Sequence, residues 1–501
     1  MRATSMVALK LYLSLGYLAF ATARNVQSEL GPSAFTAPYA FPTSAYKHYY
    51  NSPTAASEQP QPIISDPVSH VTYPLALTDP NSIPRNNTKD PHPLPPKASE
   101  SLLLTQAIAQ VLSISTNPVF GTDTCTRCQA ALEVGKFLAM AAPEQGPAFA
   151  VAICDHFNFN SDCPTMFGLL GLGSVVTQVV ANADVGGLDG QPLPSPPRFS
   201  SQLNWLVCKA KAQPASGIEE ANDAPYSLIL SALQAIPVLT GTQHTGFDFT
   251  VYTGDLVSHD PDNQLSRDYI MYAEVKTVLY DLFKRLLGSG PVYAALGNHD
   301  SYNQAQDAPH SLGGALADQF SWNYDHVAAL WQHEQWISEE AVQLARAHYA
   351  AYMVKRTDGL RVITLNTDMW YRANYFNYIN MSHPDTSGML RFLTDELQEA
   401  EDAGDRVWIV GHVLSGWDGT NAMFTKLDRF SPHVIAAIFW GHTHEDQLSI
   451  FYANNATDIS AKTAQVVSWI GPSVTPLTNL NSGFRMYEVD SSTFEIVDAH
   501  T

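Results

Sequence analysis

The sequence has little positive charge for its length. Its 501 residues include 27 Lys and Arg against 48 Asp and Glu, so the formal net charge is −21. Nucleic-acid partners require clusters of Lys and Arg, and docking on an anionic membrane requires a basic surface. The composition therefore argues against both partners at neutral pH. In an acidic compartment, protonation of carboxylates and of the 17 histidines would weaken this objection to a membrane.

Long apolar runs are also missing beyond the N-terminus. The first residues, MRATSMVALKLYLSLGYLAFATA, combine basic residues, a short apolar stretch and small residues at the end, which indicates a secretory signal peptide over 1–23. The apolar part is too short to span a bilayer comfortably. We expect no transmembrane anchor, and a protein that is secreted or enters the lumen of an acidic compartment. The sequons at Asn86, Asn380 and Asn455 fit that route as glycosylation sites.

Cysteine is scarce and odd in number, with five residues in the chain. Residues 24–100 contain none and are dense in Pro, Ser, Thr and Asn, a composition that predicts a disordered or extended arm. All five cysteines lie within 101–212, where Ala- and Leu-rich stretches predict helices. In a secreted chain they are disulfide candidates, and the odd count predicts one unpaired thiol.

Four glycine-led motifs follow strand-like runs in residues 224–501, where alternating strand and helix patterns predict an α/β domain. The motifs are GDLVSHD, GNHD, GHVLSGWDG and GHTH. Glycine permits a sharp turn, and open α/β sheets place their sites at the carboxyl ends of strands. One such motif alone is more often an ordinary turn, but all four in order predict a metal site. Its side chains are Asp255, Asn298, His412, His442 and His444. This mixed set of nitrogen and oxygen ligands suits Zn²⁺, Mn²⁺ or iron rather than Ca²⁺.

These motifs resemble those of the calcineurin-like metallophosphoesterases. With the helical, cysteine-containing segment, the chain resembles the acid sphingomyelinase family, most of all its fungal sphingomyelin phosphodiesterases. The stretches SWNYDHVAALWQHE and WIGPSVTPLTNLNSGFR carry the likeness most specifically, and it extends over most of 121–500. The resemblance implies an α/β sandwich of two sheets flanked by helices, preceded by a small all-α saposin B-like domain over 101–212. It also implies a monomer that cleaves sphingomyelin to ceramide and phosphocholine at a membrane or lipid surface.

The same resemblance implies roles for individual residues. Two zinc ions would share Asp255, the second would also be bound by Asn298, His412 and His442, and the first by His444. His259 and His299 would be the catalytic pair that handles the phosphodiester and its leaving group. Histidine suits that task because it titrates in the range needed to protonate a ceramide alkoxide. Cys154 and Cys163 would form the short inner disulfide of the saposin-like domain.

The most consequential absence is the family's first metal motif, an Asp-x-His that follows an early strand and supplies two ligands to the first metal. Neither the strand nor the motif is found between Cys208 and residue 224. Two other Asp-x-His triplets exist, Asp90–His92 in the Pro-rich arm and Asp498–His500 at the chain's end. A single event would explain the lost motif together with a missing sixth saposin-type cysteine, and it could be an internal deletion, an alternative transcript or a misassembled gene model. The family's C-terminal region is expected to be truncated as well.

Counting ligands predicts an impaired enzyme. The first metal would keep only Asp255 and His444, whereas a catalytic zinc usually has three protein ligands and a water. Weak occupancy of that site should slow hydrolysis by about a thousandfold or more. Two alternatives stay open. One is a non-catalytic, secreted relative that binds lipid or metal. The other is a different phosphoesterase, such as a purple acid phosphatase, although that family needs Tyr where this chain has Ser258.

Overall fold

The computed structural model describes only part of the chain. The described residues are 63–65, 72–74, 102–120, 124–168, 171–183, 224, 226–257, 259, 270, 279–380, 383, 385–415, 429–453, 456–477 and 480–501. The predicted signal peptide, most of the Pro-rich arm, the sequons at Asn86 and Asn455 and the triplet Asp90–His92 lie outside these residues. So do Cys208 and the segment that would precede the α/β domain. That one of Cys125, Cys128 and Cys208 is unpaired therefore stays a prediction.

Two short strands lie within the predicted arm. Strands β1 (Ile63–Ser65) and β2 (Thr72–Pro74) pair antiparallel. Five helices follow in the segment where helices were predicted. They are α1 (Leu102–Thr116), α2 (Thr124–Ala141), α3 (Gly146–Phe157), α4 (Cys163–Phe167) and α5 (Gly173–Asn182). Helices α1 and α2 bury Ala107, Leu138 and Ala142 in a small core of their own. Whether this segment has the saposin fold stays a prediction.

The disulfide between Cys154 and Cys163 is present, which confirms that predicted pairing. Helix α3 ends at Phe157, within one turn of Cys154, because Asn158 adopts a left-handed conformation with φ of 52°. Helix α4 begins directly at Cys163, and the Asp162 side chain caps it by accepting a hydrogen bond from the Thr165 amide at 3.2 Å. The two helix ends therefore bring the two sulfur atoms together.

The rest of the chain is a mixed α/β unit, as predicted. Its strands are β3 (Thr250–Tyr252), β4 (Val292–Ala294), β5 (Tyr352–Lys355), β6 (Leu360–Thr364), β7 (Arg406–Val410), β8 (Ile435–Trp440), β9 (Gln447–Tyr452), β10 (Ala464–Ile470), β11 (Met486–Val489) and β12 (Ile496–His500). Its helices are α6 (Tyr226–Thr240), α7 (Leu279–Leu286), α8 (Gly314–Ala317), α9 (Ser321–His333), α10 (Glu339–Ala347) and α11 (Met389–Ala403). None of the described helices is both long enough and apolar enough to cross a bilayer.

The main sheet has six strands in the order β5-β6-β7-β8-β10-β9. Strands β6, β7, β8 and β10 run parallel, and the edge strands β5 and β9 are antiparallel to their neighbours. Strands β6 and β7 are buried along their whole length, as expected of parallel strands covered on both faces. The predicted second sheet appears in the described residues as two separate pairs, the parallel β3–β4 and the antiparallel β11–β12.

The helical segment and the α/β unit share one core. Val175 and Val179 of α5 belong to the same buried cluster as the residues of the main sheet. A buried hydrogen bond reinforces this contact, since the Gln319 side-chain amide donates to Gln178 Oε1 at 2.9 Å. Helix α5 is therefore anchored on the α/β unit.

Glu396, on α11, is a buried carboxylate with 9% exposure. Its Oε2 lies 3.8 Å from Arg361 Nη1 and accepts no hydrogen bond from a described residue. Burial, followed by repulsion from Glu399, raises the Glu396 pKa to about 7. Because this folded-state pKa exceeds the unfolded value, the folded protein takes up a proton on acidification. Glu396 therefore leaves the fold most stable at low pH, where its carboxyl group is protonated. This stability is lost as pH rises from about 4.5 through about 7.

Glu396→Gln should therefore stabilise the fold at pH 8 and leave it nearly unchanged at pH 4. The expected gain is up to about 3 kcal/mol, from 1.36 kcal/mol per pKa unit, which corresponds to a rise in Tm of roughly 5 °C. Thermal melts at the two pH values measure it. Asp402→Asn, an exposed change on the same helix, is the control and should shift neither melt. Equal effects of Glu396→Gln at both pH values would contradict the expectation.

Candidate metal centre

The loops after β3 and β4 approach each other so closely that both require glycine. A Cβ on Gly254 would lie 2.3 Å from the Gly297 amide nitrogen, and Gly254 has a φ of 93°. A Cβ on Gly297 would lie 2.2 Å from Asp255 Oδ1. Asp255 itself has a φ of 60°, a conformation that costs energy for a residue with a side chain. The two glycines thus allow Asp255 and Asn298 to face one another.

Asp300 holds these two loops together. Its carboxylate accepts backbone hydrogen bonds from Asp255 at 2.8 Å, Leu256 at 2.7 Å, Val257 at 3.2 Å and Gly297 at 2.8 Å. This side chain is 2% exposed, so water competes little for it. Asp300 belongs to the GNHD motif, but the sequence pattern predicted no role for it. The signal in the sequence was that this carboxylate shares the GNHD motif with the candidate site residues Asn298 and His299.

His412 follows β7 and points into the gap between the loops. Its Nδ1 lies 2.7 Å from the Thr253 carbonyl, to which it donates. In a neutral ring this leaves Nε2 as an acceptor. That atom faces two further acceptors, Asp255 Oδ2 at 3.0 Å and Asn298 Oδ1 at 2.9 Å. Three acceptor atoms converge at a site where His412 is 2% exposed, so a divalent cation fits the space between them.

The residues after β8 complete the arrangement. His442 and His444 have φ values of 71° and 64°, and such left-handed conformations of non-glycine residues are concentrated at functional sites. His442 Nδ1 lies 2.9 Å from Asn298 Oδ1. The His444 ring lies 4.9 Å from the His259 ring between centroids. The structure therefore brings together all five residues that the sequence analysis proposed as metal ligands.

The side chains form two groups that could each hold a metal ion and that share Asp255. One is Asp255, His412 and His442, and the other is Asp255, His259 and His444. Within each group the ligand atoms lie within 4.8 Å of one another. Neither group, among the described residues, includes Asp498 or His500. Both of those side chains are exposed on β12, where His500 Nε2 lies 3.3 Å from Glu488 Oε1.

The ionisation states of Asp255 and His444 suit metal binding, whereas His412 must release a proton from Nε2 when a metal ion binds. Burial disfavours the Asp255 carboxylate, but His412 and His299 outweigh it and hold the pKa of Asp255 well below its usual value. Burial disfavours the His412 imidazolium, but Asp255 outweighs it and raises the pKa of His412. For His444, burial and then the nearby His259 lower the pKa to about 4. A neutral imidazole and an ionised carboxylate are the forms that bind metals.

The predicted catalytic histidines lie side by side at the edge of these groups. The His259 and His299 ring centroids are 4.0 Å apart. His259 Nε2 is 3.6 Å from Asp255 Oδ2. His299 Nε2 is 3.0 Å from the Gln304 amide nitrogen, so Gln304 orients that ring. No sequence motif marks Gln304 or the Thr253 carbonyl, so neither was predicted.

This fold and this ligand arrangement define a calcineurin-like phosphoesterase domain. Residues 224–446 match the calcineurin-like phosphoesterase family. The chain is 33% identical to human sphingomyelin phosphodiesterase over 51% of this chain and 39% of that protein. It is 30% identical to sphingomyelin phosphodiesterase 2 of Caenorhabditis elegans over 56% of this chain and 44% of that protein. With human acid sphingomyelinase-like phosphodiesterase 3b it shares 30% identity over 56% of this chain and 60% of that protein.

The matched phosphoesterase family and these relatives support placing the chain with the acid sphingomyelinases, as its motifs indicated. It spans less than two thirds of the length of each of these three relatives. The family implies divalent metals, and the two groups that share Asp255 supply ligand sets for them.

Proposed function

We propose that this chain is a metal-dependent phosphodiesterase that hydrolyses sphingomyelin to ceramide and phosphocholine. The observation that carries the proposal is the pair of ligand groups that share Asp255. When bound, two zinc ions would neutralise the phosphodiester charge and lower the pKa of water to about 7. The names of the relatives support sphingomyelin as the substrate.

The proposal gives each side chain a task. Asp255, Asn298, His412 and His442 would hold one ion, and Asp255 and His444 would contribute to the other. The Thr253 carbonyl keeps a proton on His412 Nδ1 and so leaves Nε2 available. His299, oriented by Gln304, lies beside both groups and would protonate the ceramide oxygen as it leaves. Backbone bonds to Asp300 fix the loop geometry so that these groups need not reorganise.

Access to a lipid surface is part of the proposal. Phe137 and Met140 lie one turn apart on α2 and are 63% and 67% exposed. Exposed apolar side chains on one helix face support contact with a lipid aggregate. Secretion, or delivery to an acidic lumen, is proposed from the N-terminal pattern, and the exposed Asn380 is accessible to a glycan.

The test is phosphocholine release from sphingomyelin in mixed micelles, with zinc and after chelation. We expect slow, zinc-dependent release because the Asp-x-His motif is absent. Asn298→Ala should lower the rate at least about 100-fold, since it removes an oxygen ligand that faces two imidazoles. Zinc binding and micelle binding without phosphocholine release above the blank would instead indicate the non-catalytic relative. Release that persists unchanged after chelation would overturn the metal-dependent mechanism.

A further inference from the structure

We propose that His259 is a ligand of the first metal ion in this chain, in the place left by the missing Asp-x-His pair. The proposal rests on the function proposed above, and it changes the role of a residue that the sequence analysis assigned to proton transfer. From the sequence alone, only Asp255 and His444 were predicted to bind the first metal ion.

The geometry of the second ligand group carries the inference. His259 Nε2 lies 3.6 Å from Asp255 Oδ2, and the ligand atoms of His259, Asp255 and His444 lie within 4.8 Å of one another. Both of the side chains joined by the 3.6 Å distance are largely enclosed, with 13% exposure for His259 and 8% for Asp255. An imidazole nitrogen, a second imidazole nitrogen and a carboxylate oxygen facing one another at this spacing fit a zinc ion.

The loop that carries His259 is held on the fold between Asp255 and His259. The Val257 amide donates to Asp300 at 3.2 Å, and the Val257 side chain is 2% exposed. It packs with Ile270 and Trp322 in a small buried cluster. His259 therefore lies two residues after Val257, whose position is fixed. The His259 side chain points towards the carboxylate of Asp255, four residues earlier in the chain.

The ligand chemistry makes this set sufficient. Two histidines and one carboxylate form a three-ligand shell of the kind used by catalytic zinc, with a position left for water or substrate. The first site would thus have three protein ligands rather than two. A nitrogen lone pair engaged by a metal cannot carry a proton, so His259 would no longer serve as an acid. His299, whose ring is 4.0 Å away, would be the acid of the pair.

Metal content measured by atomic emission after dialysis against buffered zinc tests the assignment. We expect about two ions per chain for the wild type and about one for His259→Ala and for His444→Ala. His299→Ala is the matched control, because its ring neighbours His259 but belongs to neither ligand group, and it should keep both ions. The dissociation constant of the more weakly held ion should rise at least about 100-fold in His259→Ala.

A second variant reports contact with the metal directly. In cobalt-loaded His259→Cys, a thiolate bound to cobalt would produce a charge-transfer band in the near ultraviolet, and the same substitution at His299 should not. Retention of two ions by His259→Ala, together with no band in His259→Cys, would overturn the proposal. A wild type with one ion would also overturn it, while leaving a single-metal phosphodiesterase possible. A wild type that binds no ion would instead remove the proposed function itself.

Discussion

His412→Ala is expected to abolish phosphocholine release and to lower metal content by about one ion per chain. The His412 ring lies at the centre of the site, where its Nε2 faces Asp255 Oδ2 at 3.0 Å and Asn298 Oδ1 at 2.9 Å. Its Nδ1 is oriented by the Thr253 carbonyl at 2.7 Å. No other described side chain can replace that nitrogen, because the ring is 2% exposed and enclosed by the two loops. We expect the rate to fall by about a thousandfold or more, which corresponds to about 4 kcal/mol or more at 1.36 kcal/mol per tenfold.

His433→Ala is the matched control for this change. His433 is equally buried, at 3% exposure, and lies just before the amino end of β8, whereas the site lies beyond its carboxyl end. Its Nε2 contacts Glu401 Oε1 at 2.7 Å. His433→Ala should lower the melting temperature and leave the metal content and the rate per folded chain unchanged. If both variants lost metal equally, loss of a buried histidine in general, rather than loss of a ligand, would explain the result.

Restoring the missing motif is expected to accelerate hydrolysis at least about 100-fold. The variant replaces 213–223 with a strand that carries the family's Asp-x-His. Two new ligands would then hold the first ion, and His259 would be released to act beside His299. General acid catalysis of this kind contributes about 10²–10⁴-fold. Metal content should stay at about two ions per chain, so the gain would appear in the rate alone. Phosphocholine release from the two forms, assayed side by side, measures it.

The same insertion with Ala in place of both the Asp and the His is the control. It separates the effect of two ligands from the effect of a restored strand, and it should not gain activity. Equal rates for the wild type and the restored chain would show that the present ligands are sufficient. Such a result would contradict the sequence-based prediction of an impaired enzyme.

Part of the site was predictable because its determinants are local. A glycine directly after a strand-like run, followed by a ligand-type side chain, predicted Asp255, Asn298, His412, His442 and His444, and the structure brings all five together. The turn geometry depends on a few neighbouring residues. The α/β class was predictable for the same reason, since runs such as RVWIV and IAAIFW are buried strands.

The triplet Asp498–His500 shows that a local sequence pattern could not separate a metal motif from an ordinary strand. STFEIVDAH has the letters of a strand followed by an Asp-x-His, and β12 does form. Its pairing with β11 leaves Asp498 and His500 exposed. The turn between these strands lies at the amino end of β7, where Arg406 Nε donates to the Thr493 carbonyl at 2.9 Å. There Trp408 Nε1 donates to the Phe494 carbonyl at 2.8 Å. The direction in which the side chains of a strand point depends on the strands it pairs with. The Asp-x-His triplet alone therefore could not show whether Asp498 and His500 reach the metal site.

The sequence by itself determined the ligand chemistry, the order of the motifs and the family, because these follow from residue type and short-range spacing. The tertiary structure alone decided which candidate ligands lie close enough together to share a metal. It placed Asp300 across two loops whose contacts span 43 to 45 residues, and it grouped His259 with His444, which follows a different strand. Such contacts arise when the sheet aligns the ends of strands that are distant along the chain. No pattern within one motif carries that information.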